Sequence, residues 1–246
     1  MINFNKIAKD YHSKRRKPWK PLEFFLNHLK KLGYLFTGIN LDLGCANGRN
    51  FKIFGSYPSK LIGIDLSLEF LKIAHESLMD ENQYSKTESN FIQLILGNII
   101  YLPIRPNSIN NIFSIATIHH VKTKPERKKA FIQFKNSMKK KRYLIITVWR
   151  KWQKEYRGYF FIDWLKRNLS RKHKRKKKRE GLEEFGDKCI PWTDSHERGT
   201  YNRFYHFFSK REIKKLLKIF EIKEFKLMGG PGNRDNFFIL AQKKDN

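Results

Sequence analysis

The sequence predicts an α/β fold with a parallel, doubly wound sheet. Short apolar segments alternate with helical segments from about residue 39 to residue 149, the pattern that right-handed βαβ units produce. Within it, Leu41–Asn50 places an apolar strand, a glycine turn and a helix start in immediate succession. Two later apolar segments, Ile222–Leu227 and Phe237–Gln242, are joined by a short turn and predict an antiparallel pair at one edge of the sheet.

The composition indicates a globular chain with an anionic partner. The 246 residues are enough for one α/β domain, which we expect to span 1–246. They include 52 Lys and Arg against 23 Asp and Glu, a net charge of +29, so RNA or DNA is the expected partner. We expect no membrane span and no signal peptide, and therefore a cytoplasmic protein. Cys45 and Cys189 are too few for a disulfide framework or a four-cysteine zinc site.

The glycine turn predicts a site for an adenosine cofactor. Gly44 and Gly48 let the backbone turn sharply ahead of a helix. Asp65 ends the next apolar strand, 21 residues after Gly44, where a carboxylate can bind both ribose hydroxyls. The loop has two glycines rather than the three of a dinucleotide site, and Asp42 precedes it. Because a carboxylate attracts a cationic sulfonium, this favours S-adenosylmethionine. The alternative is an ordinary strand–turn–helix whose glycines serve geometry alone.

Other candidate residues follow the third and fourth strands and precede the loop. Asn98 follows the strand Phe91–Leu96, and its amide could hydrogen bond to adenine. The strand predicted over Asn111–His120 ends in two histidines, at the edge where open α/β sheets bind ligands. The basic segment 1–20 is either a solvated arm or a cover that closes over the cofactor with Arg15 and Trp19.

Residues 150–199 form a basic insertion that breaks the alternation of strands and helices. Within it, Arg171–Arg179 is a block of like charge that we expect to be disordered alone. It could be a solubilising loop, a nuclear-import signal or an arm that grips phosphates. Aromatic residues just upstream, among them Trp152 and Trp164, favour RNA contact.

Seven motifs occur in an order that resembles one enzyme family along nearly the whole chain. They are NKIAKDYHSKRRKPWK, LDLGCANGRN, GIDLS, GNIIYLPI, SIATIHH, CIPW and RFYHFF. The chain resembles the tRNA wobble-uridine carboxymethyl methyltransferases, which include the methyltransferase domain of the fused demethylase-methyltransferase acting on wobble uridine. The Lys-Pro-Trp, Ile-His-His and Arg-Phe-Tyr-His segments carry the specific part of this resemblance. The glycine loop and Asp65 are common to many methyltransferases.

The resemblance implies a class I (Rossmann-like) methyltransferase fold, with a seven-stranded, mostly parallel sheet and an antiparallel last strand. It implies transfer of methyl from S-adenosylmethionine to the carboxylate of 5-carboxymethyluridine at the wobble position (U34) of tRNA. His119, Arg203 and His206 should face the substrate, with Arg203 holding the carboxylate and Trp19 or Tyr205 stacking on the base. No metal is expected. The expected cofactor-binding residues are Arg15, Trp19, Gly44, Cys45, Ala46, Gly48, Asp65, Leu66, Asn98, Ile99 and Ala116.

The sequence departs from the family pattern in three places. Ala46 replaces a glycine, Asn98 replaces an acid, and the segment MKKKR replaces an Arg-Pro-Gly-Gly turn before the fifth strand. The first two bear on cofactor affinity. The resemblance also implies a small zinc-binding activator subunit, which we expect to pair with the edge strand Phe91–Leu96. Two alternatives stay open at this point: methylation of another RNA or of a protein, and a non-catalytic RNA-binding subunit.

Overall fold

A seven-stranded sheet forms the centre of the computed structural model, which describes residues 4–55, 59–80, 84–85, 91–195 and 199–244. The strand order is β3-β2-β1-β4-β5-β9-β8. Strand β9 runs antiparallel to its neighbours β5 and β8, and the other pairs are parallel. The predicted sheet and its antiparallel last strand are therefore confirmed. The strands are β1 Gly38–Leu43, β2 Ser59–Asp65, β3 Ile92–Leu96, β4 Asn111–Ile115, β5 Tyr143–Trp149, β8 Phe220–Met228 and β9 Asn236–Lys243.

Helices cover both faces of this sheet, and an apolar layer lies on each face. Because successive strand residues point to opposite sides, Ile112 of β4 joins one layer and Phe113 joins the other. None of the helices in the described residues is long and apolar enough to cross a membrane. The helices are α1 Ala8–Lys14, α2 Lys20–Lys31, α3 Phe51–Gly55, α4 Leu68–Met79, α5 Lys124–Ser137, α6 Arg157–Leu169, α7 Arg171–Arg179 and α8 Lys210–Leu216.

A separate antiparallel hairpin lies outside the main sheet and was not predicted as strands. It pairs β6 (Asp187–Thr193) with β7 (Thr200–His206), and Ile190 lies opposite Arg203. Tyr205 and Ile190 pack with Phe160 of α6 in a small apolar cluster of their own. The hairpin is therefore held on the molecule by the inner face of α6.

The basic block Arg171–Arg179 is helical in the structure, where the sequence predicted disorder. Ser170 caps this helix by accepting a hydrogen bond from the His173 N–H at 3.1 Å. Asp163, on the preceding helix α6, pairs with Arg167 at 2.7 Å and with His173 at 2.9 Å. The neighbouring helix thus supplies an acid that the charged block itself lacks. No residue of α7 is buried, so its cations remain on the surface.

The fourth strand is shorter than predicted, because the chain turns before the two histidines. Strand β4 ends at Ile115, and Ala116 has a φ of 55°. Its N–H donates to Thr147 Oγ1 of β5 at 2.9 Å, which fixes this turn at the strand end. His119 and His120 then lie in a 3-10 helix, Ile118–His120, at the carboxyl edge of the sheet.

Candidate active site

The glycine loop is a tight backbone turn whose two glycines are required by packing. Gly44 has a φ of 74° and Gly48 a φ of 71°, both in the left-handed region. A Cβ atom on Gly44 would overlap the Thr117 side chain, and one on Gly48 would lie 2.5 Å from the Phe51 ring. Ala46 adopts a φ of 50° with its Cβ present, so the loop accommodates the departure from the family pattern.

Asp65 closes this loop from the end of β2. Its Oδ2 accepts the Ala46 N–H and its Oδ1 accepts the Ser67 N–H, each at 2.8 Å. Burial raises the pKa of Asp65, whereas these two hydrogen bonds act to lower it. Because each carboxylate oxygen can accept more than one hydrogen bond, both oxygens keep capacity for a ribose hydroxyl. Asp65 is thus fixed beside the glycine loop through both of its carboxylate oxygens.

Two buried polar groups beside the loop suit a cationic ligand. Asp42 is 2% exposed, and its pKa is raised to about 8 by burial and by the charge of Asp65, with Arg49 opposing. The Oδ1 of Asn47 is buried and has no hydrogen-bond partner among the described residues. A sulfonium and an ammonium group would stabilise the ionised carboxylate and offer N–H donors to such an acceptor. The residues present therefore fit S-adenosylmethionine.

The neighbouring residues provide an apolar surface and a donor for the adenine. Leu66 follows Asp65 and is 56% exposed, although it is a large apolar side chain. The Oδ1 of Asn98 accepts the Ile100 N–H at 2.9 Å, so its NH2 group remains to donate. An aspartate in this place could only accept, so this substitution changes which atom of a base it can meet. Ile99 is buried just behind it.

Cys45 has no chemical role that the structure supports. Its side chain is 6% exposed in the apolar layer beneath the loop. Burial, with the charges of Asp65 and Asp42, raises the pKa of the thiol well above its usual range. Its contribution to the site is the shape of the loop. Ala116 contributes in the same way, through the backbone turn after β4.

The N-terminal segment lies across the cofactor loop. It is therefore not a solvated arm, the first of the two alternatives for this segment. Asn47 Nδ2 donates to the backbone oxygen of Arg15 at 3.0 Å. The Trp19 N–H donates to Asn50 Oδ1 at 3.1 Å, and its ring packs against Phe238 at 5.1 Å between centroids. Trp19 is therefore part of the packing of α2 on the sheet, whereas the sequence had also suggested it as a platform for the base.

Arg203 is a cation without a carboxylate partner among the described residues. Its guanidinium carbon lies 4.6 Å from the centre of the Trp192 ring and 5.2 Å from that of Tyr205. Its Nε is buried and has no hydrogen-bond partner in the part of the chain that the structure describes. The guanidinium also forms a side-chain hydrogen bond with Tyr205, and a guanidinium that packs on aromatic rings can offer its other N–H groups to an anion. This arrangement suits the predicted contact with a substrate carboxylate.

His119 lies close to Arg203, and Tyr205 touches both. The His119 ring is 1% exposed and its centroid is 5.0 Å from that of Tyr205. Burial, with the charges of His120 and Arg203, lowers its pKa well below the usual range, so it is neutral. Its Nδ1 has no partner in the described part of the chain. His120 has a structural contact instead, because its Nδ1 lies 2.9 Å from the Phe204 carbonyl oxygen.

His206 does not face the same side, contrary to expectation. Its Nδ1 lies 2.6 Å from Asp187 and its Nε2 lies 2.7 Å from Glu212, and the side chain is fully buried. Burial lowers its pKa, but the two carboxylates outweigh this and raise it. With both ring nitrogens occupied, His206 fastens the hairpin to α8. The sequence spacing indicates this difference, because Arg203 and His206 are three residues apart, and such residues on a strand point to opposite faces.

Glu184, His206 and Glu212 also have donor atoms within 4.8 Å of one another, which is a spacing that metal sites use. Here the negative charge is already balanced by buried cations. Arg127 lies 2.7 Å from Glu184 and 3.9 Å from Glu212, and Lys151 lies 3.9 Å from Glu212. An ion-pair network accounts for this cluster. It ties the hairpin to α5 and α8.

Comparisons with known proteins agree with this geometry. A family model described as a methyltransferase domain matches residues 41–146. A protein of Schizosaccharomyces pombe named tRNA (carboxymethyluridine(34)-5-O)-methyltransferase is 26% identical over 249 residues, covering 98% of this chain and 94% of that protein. A methyltransferase structure from Methanosarcina mazei has a TM-score of 0.68 at 22% identity, covering 88% of this chain and 97% of that chain.

A second solved structure, a Burkholderia thailandensis N-methyltransferase with bound S-adenosylhomocysteine, has a TM-score of 0.61 at 13% identity. It covers 98% of this chain and 86% of that chain. At such low identities the two structures bear on the fold, and the yeast relative bears on the family. The fold, the cofactor loop and this relative lead to one identification. The chain is a class I S-adenosylmethionine-dependent methyltransferase, and it is similar along 98% of its length to a protein named tRNA (carboxymethyluridine(34)-5-O)-methyltransferase.

Proposed function

We propose that this protein methylates the carboxylate of 5-carboxymethyluridine at position 34 of tRNA, giving the methyl ester. The observation that carries the proposal is Arg203, a cation held between Trp192 and Tyr205 with no carboxylate of the described chain to neutralise it. The name of the S. pombe relative supports the same substrate. Methylation of a neutral acceptor would give this cation no partner.

The chemistry needs alignment more than acid–base catalysis. A carboxyl group with a pKa of about 4 is already ionised at neutral pH. When bound, S-adenosylmethionine supplies the methyl group, which bonds to a carboxylate oxygen as its bond to sulfur breaks. The guanidinium of Arg203 would hold the carboxylate by its planar edge and orient one oxygen for the transfer. Very strong hydrogen bonds from Arg203 would lower the reactivity of the carboxylate oxygen. The role of this contact is therefore to position the carboxylate.

His119 and Tyr205 support the acceptor without changing charge. Neutral His119 can donate or accept a hydrogen bond to the base without adding a second cation beside Arg203. Burial raises the pKa of Tyr205 to about 12, with Arg203 opposing, so the phenol stays protonated. Both side chains are buried, which keeps water away from the reacting carboxylate.

Basic surfaces beside the acceptor side suit the phosphates of RNA. A cleft of about 460 Å³ lies beside the hairpin and is lined by Lys14, Arg15, Pro191, Trp192 and Thr193. Helices α6 and α7 carry eleven Lys and Arg against one Asp over 157–179. Such a surface attracts a polyanion and gives up counterions when it binds one. We propose that tRNA lies across both surfaces with its wobble base at Arg203.

We also propose that the small zinc-binding activator subunit pairs with β3. In the described residues β3 is an edge strand with β2 on one side only, so one row of its backbone groups is unpaired. Phe91, just before this strand, and Leu96, its last residue, are 48% and 55% exposed. An exposed, partly apolar edge is suited to pairing with a strand of another protein.

A methyl-transfer assay with two matched tRNAs tests the proposal. The protein, co-expressed with the activator, is given labelled S-adenosylmethionine and one tRNA carrying either 5-carboxymethyluridine or unmodified uridine at position 34. We expect label only on the carboxymethylated tRNA, in a nucleoside that mild alkali returns to the free acid. Equal labelling of both tRNAs would indicate another RNA site. Absence of cofactor binding in calorimetry, with or without the activator, would indicate a non-catalytic subunit.

A further inference from the structure

The Trp192 ring beneath Arg203 is itself held by the N-terminal helix. Its indole Nε1–H donates to Asp10 Oδ2 at 2.7 Å, across 182 residues of sequence. Asp10 is fully buried, and its other oxygen accepts the Ser195 N–H at 2.9 Å. Lys14, one turn further along α1, contacts Oδ2 at 2.7 Å and the Thr193 carbonyl oxygen at 3.0 Å. One carboxylate thus fixes the end of β6 through three donors.

These contacts keep Asp10 ionised. Burial alone would raise its pKa, but the hydrogen bonds from Lys14, Ser195 and Trp192 outweigh burial and lower the pKa to about 2. A charged acceptor holds an indole N–H more strongly than a neutral one does. Asp10 therefore helps to fix the plane of the Trp192 ring, although it is not among the residues expected to bind cofactor or substrate.

The same helix is fastened to the cofactor loop. The Nδ1 of His12 lies 3.0 Å from Asn47 Nδ2, within the glycine loop. Just before α1, Asn5 Oδ1 accepts the Ser67 hydroxyl at 2.6 Å, two residues beyond Asp65. Helix α1 therefore touches both halves of the site, with Asp10 on the acceptor side and His12 on the cofactor side.

We infer that Asp10 is a positioning residue for Arg203: it orients the Trp192 ring on which the guanidinium stacks, and so aims that guanidinium at the acceptor carboxylate. The inference rests on the proposed function, because it concerns recognition of a carboxylated base. Without the carboxylate, the Trp192 N–H would lose its partner in a buried place, and only the packing of Tyr11 and Lys14 would still hold the ring. The guanidinium would then lose its fixed plane, while the cofactor loop would keep its own contacts.

Two variants test the connection between Asp10 and Trp192, one by changing each residue. Asp10→Asn removes the charge and weakens the bonds to Lys14 and Trp192. Trp192→Phe keeps an aromatic ring and leaves Asp10 paired with Lys14 and Ser195, so it tests the link even if the first variant folds poorly. Glu221→Gln is the matched control, since it removes a carboxylate that pairs with Lys223 at 2.7 Å on the far edge strand β8.

The decisive measurement is the preference for the carboxylated base. Dissociation constants are measured with S-adenosylhomocysteine present, for tRNA with 5-carboxymethyluridine and for the same tRNA unmodified. We expect the ratio of the two constants to fall by about tenfold in both variants, the value of one charged hydrogen bond. The constant for S-adenosylhomocysteine should stay within about twofold, and the constant for unmodified tRNA should change much less than that for the carboxymethylated tRNA. A variant that only loosened the fold would weaken all these constants together.

The outcomes separate the inference from the function on which it rests. A wild-type protein that does not prefer the carboxylated tRNA would overturn both. A wild-type protein with this preference, together with an unchanged ratio in Trp192→Phe, would overturn the inference alone. Retained preference in Glu221→Gln and reduced preference in both test variants would support it.

Discussion

The cofactor side and the acceptor side of this methyltransferase are built in different ways. On the cofactor side, Asp65 binds the backbone N–H groups of Ala46 and Ser67, all within a short stretch of chain. On the acceptor side, Arg203 depends on side chains brought from far away, including Asp10 by way of Trp192. A cofactor site made of backbone groups can be combined with any methyl acceptor. An acceptor site made of packed side chains is specific to one acceptor.

Substitution of Asp65 is the strongest test of the cofactor side. We expect Asp65→Ala to weaken cofactor binding by about 100-fold or more, because it removes hydrogen bonds to the ribose worth about 1.5–3 kcal/mol each. It also releases the Ala46 and Ser67 N–H groups, which loosens the loop. Calorimetry with S-adenosylhomocysteine measures the loss, and Glu221→Gln serves as the control. Affinity retained within twofold would show that Asp65 does not bind the ribose.

A substitution at Arg203 tests the other half. Arg203→Lys keeps the charge but loses the planar fork and its stacking on Trp192 and Tyr205. We expect turnover with saturating tRNA to fall by about tenfold, while cofactor affinity stays near that of the wild type. Single-turnover rates and calorimetry give the two quantities. Wild-type turnover would mean that another cation receives the carboxylate.

The sequence predicted the fold around the cofactor loop for a physical reason. Glycine turns, strand ends and the Asp65 spacing are local features, and the seven-stranded sheet with its antiparallel last strand follows from the order of apolar segments. The acceptor side depends on pairings that no local pattern shows. The hairpin, the partners of His206 and the bond between Asp10 and Trp192 depend on residues far apart in the chain.

The basic helix α7 is a second example of a structure that depends on contacts outside the local sequence pattern. Local charge repulsion predicted disorder for Arg171–Arg179, but Asp163 contacts the His173 ring and Glu180 pairs with Lys177. A prediction from the charges along one segment does not include its contact with an acid on the preceding helix. The residue types still indicated an anionic partner, because the helix leaves its cations on the surface.

This surface gives a prediction about affinity rather than turnover. Neutralising four exposed cations of α7 should weaken tRNA binding and reduce the slope of log affinity against log salt by up to about 3, since each phosphate contact contributes about 0.7–0.9. The residues changed to Gln are Lys172, Lys174, Arg175 and Lys178. The matched control changes an equal number of exposed lysines at the opposite end of the sheet: Lys139, Lys140, Lys215 and Lys218. An equal slope in the two variants would leave α7 without a specific part in binding.

The smallest effect on chemistry is expected at His206, which the structure moves from the acceptor face to the support beneath it. His206→Gln should leave cofactor affinity unchanged and reduce turnover much less than Arg203→Lys. Its effect is on stability, because Asp187 and Glu212 lose the imidazolium between them. We expect the midpoint of thermal unfolding to fall by about 3–6 °C at pH 6, as for a loss of about 1–2 kcal/mol in a chain of this size.

The pH dependence of this loss separates a supporting histidine from one that acts on substrate. The two carboxylates raise the pKa of His206 in the folded protein above the ordinary 6.5. The stabilisation is therefore complete below about pH 6.5 and disappears as the pH rises through the raised value. Thermal unfolding of wild type and His206→Gln should differ most at pH 6, and the curves should converge as the solution becomes alkaline. A difference that grows with pH would mean that the neutral imidazole carries the contact, and that His206 could serve the acceptor after all.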